Sequence, residues 1–425
     1  MKKFAKNLVV SVLGWQVRRL RKKNNVKVIA IAGSIGKTST KIAIAKVLQQ
    51  GFKVRYQQGN YNDLVTVPLI FFGQEMPSLL NPFAWVMIFW RNEAQLRKTY
   101  PYEIVVVEVG VDGPGQINKY GAYLHADVGV LTAIAPEHME YFDNLEAVAR
   151  EELNIENICD DVFVNADLCD LKYLGQLKAK PKTYGLLQRA SYQFTEVKFN
   201  KQGYDFVVTH NDREILKTSH ASFSDSHLYS LCAAVAVANE LGVPANKIIE
   251  GLKTIQPVSG RMQRLDGING SVILDDTYNS SPVAAVSALD TLYRIEAAHK
   301  IAVLGNMNEL GSFSQEAHAE VGKYCDPEKL AEVITLGPDA NEYLAKAAEE
   351  QGCKVSRFDS PLKVGEYLKE IIKPGSLVLA KGSQNGVFAE EAVKKILARP
   401  EDAEKLVRQS SAWLKIKSKQ LSEKL

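Results

Sequence analysis

Three kinds of segment run together without a gap from Val26 to Gln50: the β-branched apolar run VKVIAIA, the glycine-punctuated GSIGKTST and the helix-patterned KIAIAKVLQQ. That strand–loop–helix order is the context a phosphate-binding loop requires. Gly33 and Gly36, with Ser34 between them, let the backbone approach a polyphosphate. The helix N-terminus behind them directs N–H groups and partial positive charge toward it. Lys37 would reach the β- and γ-phosphates, and the hydroxyl of Thr38 or Ser39 would coordinate Mg2+. The strict eight-residue pattern starts on glycine, whereas Ile31 stands at that place. The flanking strand and helix therefore carry the assignment of a nucleotide site.

Further strands of the same kind follow: YEIVVVEVG at 102–110, ADVGVLT at 126–132 and a short run at 161–164. Continuous apolar strands alternating with helices indicate a parallel sheet covered on both faces. In such sheets ligands bind at the carboxyl ends of strands. Glu108 closes the first of these strands, and His138 lies in the loop after the second. Residues 190–223 alternate instead, with turn signals at Lys201-Gln202-Gly203 and Asn211-Asp212, and read as an antiparallel appendage. After a boundary near residues 254–260, strands at about 271–274, 300–304, 332–336 and 376–380 alternate with helices again. The expected fold class is α/β. A P-loop mononucleotide-binding central domain with a mostly parallel sheet spans 26–257, and a smaller Rossmann-like α/β C-terminal domain spans 258–400. A basic amphipathic helix (1–25) precedes them and a charged helical tail (401–425) follows.

At 425 residues, several domains are expected. The net charge of +3 is too small to argue for a nucleic-acid partner. Five scattered cysteines without a CxxC pair argue against structural zinc and, by their odd count, against a disulfide framework, and suit a reduced, cytoplasmic protein. Residues 1–25 hold eight lysines and arginines and no acid, around an apolar stretch too short for the about 20 residues a bilayer span needs. Two readings stay open: a helix at the inner face of an anionic membrane through residues 2–23, or a helix packed on the protein's own core. A second apolar run, Pro82–Trp90, is too short to cross a membrane and reads as a buried helix, with a membrane or lipid contact as the alternative.

Five polar clusters sit on strand-end loops: Lys37-Thr38, Glu108, His138, Asp275-Asp276 and Lys381. Singly, each is explained by capping or surface exposure. Together with a phosphate loop, a glutamate and a histidine suit Mg2+ sites between a nucleotide and a second substrate. On AGSIGKTST, VEVG, LTAIAPEHMEYF, Gly260-Arg261-Met262, LDDTYNSSP, LGNMNELG, His318 and KGSQN, the chain resembles the Mur ligases from about Val26 to Ala398. These are ATP-dependent amide-forming enzymes of bacterial cell-wall synthesis. GNYNDLVTVP, DDTYN and GNMNELG are most similar to members that add D-alanyl-D-alanine to a muramoyl-tripeptide.

The resemblance implies ATP and Mg2+, an acyl phosphate, and an amino-acid or dipeptide amine that displaces phosphate from a glycopeptide carboxylate. It implies that Lys37 holds the phosphates, Thr38 and Glu108 the first Mg2+, and His138 a second. Arg261, Asp276 and Tyr278 would contact the nucleotide from the C-terminal domain after closure. Asn60, Asn62, Asn279, Lys381 and Ser383 fall in the substrate segments. Glu152 stands where the family carries a carbamate-modified lysine, and is expected to replace it as a metal ligand. The helix after His227 offers only Ser230 or Leu231 where the family has an asparagine for the adenine. The family's UDP-sugar-binding domain before the phosphate loop is expected to be missing. A monomer is expected. The alternatives are a ligase for a lipid-linked or other acceptor, such as a glutamyl chain, and an inactive scaffold. The intact set of dispersed ligands argues against the scaffold.

Overall fold

The apolar runs marked as buried strands become the centre of a nine-stranded sheet. The computed structural model describes residues 2–57, 61–200, 202–222 and 224–422, with only the backbone of 2–5 and 422. The strands are β1 (Lys27–Ala32), β2 (Val54–Arg55), β3 (Ile104–Glu108), β4 (Ala126–Leu131), β5 (Cys159–Asn165), β6 (Lys182–Gly185), β7 (Tyr192–Asn200), β8 (Gly203–His210) and β9 (Arg213–His220). Their spatial order is β2-β3-β1-β4-β5-β6-β7-β8-β9. Pairing is parallel from β2 to β7 and antiparallel across β7, β8 and β9. Asn211 and Asp212, both at positive φ, make the β8–β9 turn, the backbone that a tight hairpin selects Asn and Asp for.

Register places the first functional loops. Ile31 of β1 pairs with Glu108 of β3, and Ala32 with Leu131 of β4. The loops leaving β1, β3 and β4 therefore emerge side by side at the carboxyl edge. Ile29, Ile31, Val106, Val128 and Val130 are buried in one core with the helices Lys37–Leu48 and Asp225–Glu240. The second helix is buried at every position from Ser230 to Ala238.

The N-terminal segment forms one helix, α1 (Lys2–Lys23); α2 is Lys37–Leu48, α3 is Thr66–Phe72 and α4 is Pro82–Leu96. Val9 and Leu13 of α1 share a buried cluster with Val65, Leu69, Trp85 and Ile88. Buried Gln16 exchanges hydrogen bonds with Asn92 and the Phe89 carbonyl. Arg19 pairs with Glu93 at 2.8 Å, Arg21 with Asp127 at 3.3 Å, and Lys23 donates to the Leu96 carbonyl. Much of the basic charge of α1 is thus used within the chain, as the core-packing reading has it. The expectation for 82–90 needs correction: α4 buries one side only, and Phe83, Val86, Met87 and Trp90 remain exposed. Among the described residues no helix is long and apolar enough to cross a membrane.

The second sheet has six strands: β10 (Gln263–Asp266), β11 (Val272–Asp276), β12 (Lys300–Gly305), β13 (Glu332–Leu336), β14 (Val355–Phe358) and β15 (Leu377–Lys381). Their order is β10-β11-β15-β12-β13-β14, all parallel except β10. Strands β6, β10 and β14 escape a search for apolar runs. They are short, and β10, with Leu265 as its one apolar residue, and β14, with two polar residues between Val355 and Phe358, are edge strands. The tail holds the helix Ser411–Ser422, whose Lys417 is buried in ion pairs with Glu390 and Glu391. The chain divides into two compact units, chiefly Met1–Ala135, Tyr141–Ser222 and Ser226–Ile255 in the first, and Pro136–Glu140 with Gln256–Leu425 in the second.

Candidate nucleotide site

In the first unit the phosphate loop spans the gap between β1 and α2. Gly36 caps α2 in the left-handed region at φ 85°, which only glycine adopts at no cost. Gly33 sits at φ 120°, and a Cβ there would fall 2.4 Å from the Thr132 hydroxyl. Both glycines are therefore dictated by geometry. The Ser34 amide donates to the Ala133 carbonyl and its hydroxyl accepts from the Ala135 amide, tying the loop to the one leaving β4. Lys37 curls back to donate to the Gly33 carbonyl. Ser39 stands half-buried in the first turn of α2.

Glu108, buried, faces this turn. Its Oε2 accepts from the Thr38 hydroxyl at 3.0 Å and lies 3.3 Å from Lys41 Nζ. Its Oε1 accepts from the Asn62 amide at 3.4 Å. Lys41 is fully buried, so this ion pair is shielded from water and neither charge can be removed without stranding the other. Lys41 was not among the expected site residues. Four residues after Lys37, it sits on the same helix face, and that spacing is the signal for it. Asn60 lies outside the described residues.

The helix Leu145–Leu153 presents two adjacent buried carboxylates. Glu152 accepts from the Gly33 amide at 2.7 Å. Glu151 accepts from Gly115 at 2.6 Å and from Ile117 at 2.7 Å. Glu152, expected on a metal, is thus placed with one oxygen on the backbone of the phosphate loop. Among the described residues no three His, Cys, Asp or Glu side chains gather as a metal cage. Magnesium needs no such cage, since it keeps several waters and is completed by substrate phosphates. The hard oxygens of Thr38 and Glu108, adjacent at the helix N-terminus, fit it. Ser230, which stands where the family carries its adenine-binding asparagine, bonds Thr40 at 3.1 Å, and Leu231 is buried in the core.

In the second unit the parallel register sets Asp276 of β11 opposite Lys381 of β15. Their side chains form a buried pair at 2.7 Å. Asp276 also accepts from the Met262 amide, and Lys381 donates to the Asn279 carbonyl. Ser383 donates to the Asn279 side chain at 3.0 Å. The Arg261 guanidinium lies over the Tyr278 ring at 4.1 Å, a cation–π arrangement. Asp276, Tyr278, Asn279, Lys381, Ser383 and Arg261 thus form one connected group. Two tail-side residues not foreseen complete it. Arg408 donates to the carbonyls of Thr277 and Tyr278, and its guanidinium is paired bidentately with fully buried Glu390. Next door, burial pushes the Asp275 carboxyl up to about 6, and its Oδ2 has no hydrogen-bond partner.

His138 also belongs to the second unit. Its Nδ1 is 2.8 Å from Glu309 Oε2, and the hydrogen bond from His138 holds the Glu309 carboxyl below its ordinary range. Both residues take positive φ, 54° and 65°, an unusual backbone for non-glycine residues that the surrounding structure must enforce. A carboxylate on one imidazole nitrogen is the pairing that orients a metal-binding histidine. Glu309 lies in the GNMNELG loop without having been singled out. His318 is structural: buried and neutral, it donates from Nδ1 to the Ser314 carbonyl and accepts at Nε2 from the Met307 amide, and burial holds its pKa down.

Residues 91–238 match the family model of the Mur ligase middle domain, and residues 260–384 that of the Mur ligase glutamate ligase domain. A UDP-N-acetylmuramoyl-tripeptide–D-alanyl-D-alanine ligase of Bacillus subtilis is 27% identical over 379 residues, 88% of this chain and 76% of that protein. The Escherichia coli protein of the same name is 23% identical, over 87% of this chain and 77% of its own length. Among solved structures, MurF from Acinetobacter baumannii superposes with a TM-score of 0.74 at 22% identity, covering 90% of this chain and 79% of that one. MurF ligase from Thermotoga maritima in complex with ADP gives 0.72 at 23%, covering 93% and 84%. At such identity the superpositions establish the fold.

Proposed function

The chain belongs to the Mur ligase family through its middle and C-terminal domains, and from that premise we propose that it is an ATP-dependent carboxylate–amine ligase adding D-alanyl-D-alanine to a muramoyl-tripeptide. The observation that carries the reading is the Thr38–Glu108 pair at the N-terminus of α2, beside Lys37 on a glycine-shaped loop. A substrate carboxylate attacks the γ-phosphorus of ATP, giving an acyl phosphate and ADP. The amine then adds to the acyl carbon, loses its proton, and expels inorganic phosphate to leave the amide.

Phosphoryl transfer asks a protein mainly for alignment and charge neutralisation. The amides of the phosphate loop and the Lys37 ammonium take the charge of the β- and γ-phosphates. Thr38 and Glu108 would hold Mg2+, which when bound offsets charge on the phosphoryl oxygens. His138, kept in orientation by Glu309, would hold a second Mg2+. Glu152 shapes the loop by holding the Gly33 amide. Arg261 and Tyr278 offer a stacked cationic surface for the nucleotide, with Asp276 as acceptor. Consumption of ATP and five reduced, buried cysteines suit the cytoplasm.

The test is phosphate release by the full chain with ATP, Mg2+ and UDP-MurNAc-tripeptide, with and without D-alanyl-D-alanine. Release that requires both substrates, with the amide product seen by mass, is expected. Turnover indifferent to the dipeptide, or satisfied by another amine, overturns the substrate assignment.

A further inference from the structure

α4 keeps half of its apolar side chains in water. Trp85, Ile88, Asn92 and Leu96 are buried on its inner side. On the other side Phe83 is 83% exposed, Trp90 66%, Val86 62% and Met87 47%, and Leu80, just before the helix, is 69% exposed. The spacing 83, 86, 87, 90 sets the four helical residues in one stripe. Single exposed apolar residues are ordinary, whereas a contiguous stripe marks an interaction surface. α1, which shares a buried cluster with α4, contributes exposed Leu8 and Trp15.

The surroundings of the stripe are cationic. Arg91 beside Trp90, Arg97 and Lys98 at the helix end, and Lys6 and Lys22 of α1 are all exposed. The acid of α4, Glu93, is already paired with Arg19, and α1 contains none. Glu75, seven residues before α4, and Glu103, seven residues after it, are the exposed carboxylates nearest in sequence.

We propose that the outer face of α4, with the exposed cations of α1, docks onto an anionic lipid bilayer. The apolar stripe enters the boundary between headgroups and acyl chains, where tryptophan is favoured. The lysines and arginines meet the anionic headgroups. With 15 residues α4 lies along the interface instead of crossing it. Charge decides against a second copy of the chain as occupant, because two copies would bring their cationic rims together. The proposal stands apart from the ligase reading and survives its failure.

The experiment is co-sedimentation of the full chain with vesicles of equimolar phosphatidylcholine and phosphatidylglycerol, against phosphatidylcholine alone. Binding is expected to the anionic vesicles, falling steeply with salt and accompanied by a blue shift of tryptophan emission. The F83S/W90S variant is expected to lose at least about tenfold in partition with an unchanged melting temperature. Arg91→Ala and Lys98→Ala each lose about fivefold. Equal pelleting of wild type and F83S/W90S overturns the proposal. So does a dimer in solution that F83S/W90S makes monomeric while neither protein pellets.

Discussion

Around the phosphate loop, backbone N–H groups are held by carboxylates: Glu152 accepts from Gly33, and Glu151 from Gly115 and Ile117. Around the DDTYN segment, backbone carbonyls are held by cations, Lys381 donating to Asn279 and Arg408 to Thr277 and Tyr278. The difference follows from what each segment has to present. The phosphate loop is anchored through two amides at its start, Gly33 on Glu152 and Ser34 on the Ala133 carbonyl, and a phosphate cradle works with the amides that follow. The DDTYN segment works with side chains, so its carbonyls are available as anchors. Each unit buries ion pairs beside its segment, Lys41–Glu108 in the first, and Lys381–Asp276 with Arg408–Glu390 in the second.

The largest effect is expected at Lys41. Lys41→Met strands the buried Glu108 charge and should cost about 3–5 kcal/mol in denaturant unfolding, and adding Glu108→Gln should restore most of it. If K41M is as stable as wild type, the first unit does not depend on its ion pair. Next comes Lys37, half-buried, whose ammonium donates to the Gly33 carbonyl of its own loop. Lys37→Ala should lower kcat/KM for ATP by about 10²- to 10³-fold with stability nearly unchanged, which separates ligand charge from structural charge.

In the second unit, burial raises the Asp275 pKa to about 6 from the ordinary 3.8. The native state therefore holds this proton to higher pH than the unfolded chain. The associated stability is full below about pH 4 and is lost as pH rises through about 6. A shift of roughly two units corresponds to about 3 kcal/mol, and Asp275→Asn should flatten the melting temperature across that window. Glu152 divides brace from ligand. Glu152→Ala should cost about 1.5–3 kcal/mol, whereas Glu152→Gln, which keeps an acceptor for Gly33, should stay near wild type in stability and turnover. Equal loss of turnover and Mg2+ dependence in both variants would make Glu152 a metal ligand instead. Last comes Arg408→Met, which leaves Lys417 on buried Glu390 and should cost about 1.5–3 kcal/mol with a raised KM for ATP. An unchanged KM would show that the cation-held carbonyls do not shape the nucleotide contacts.

The contiguous motif was legible because its requirements are local: two glycines, a lysine, a hydroxyl, and a strand and helix around them. Glu108 was legible because the carboxyl end of a buried strand is a functional address in parallel sheets. Lys41 was missed, since a lysine on a helix usually faces water: its spacing from Lys37 marks the helix face, while its partner Glu108 is set opposite by the register of β1 against β3. Arg408 and Glu309 escaped for the same reason, as their partners are distant in sequence. For α4, the apolar run showed a helix, but not that half of it would face outward. That depended on how much of it α1 and α3 could cover.

The helix Leu145–Leu153 anchors the loop after β1 through Glu152 and the loop after β3 through Glu151, from two consecutive residues of its last turn. Neither loop can detach alone without uncovering a buried carboxylate, so the turn couples them. The Gly33, Gly115 and Ile117 amides should then exchange their hydrogens as one cooperative unit, with a shared opening free energy, although they lie on separate segments of the chain. Unwinding that single turn would release both at once.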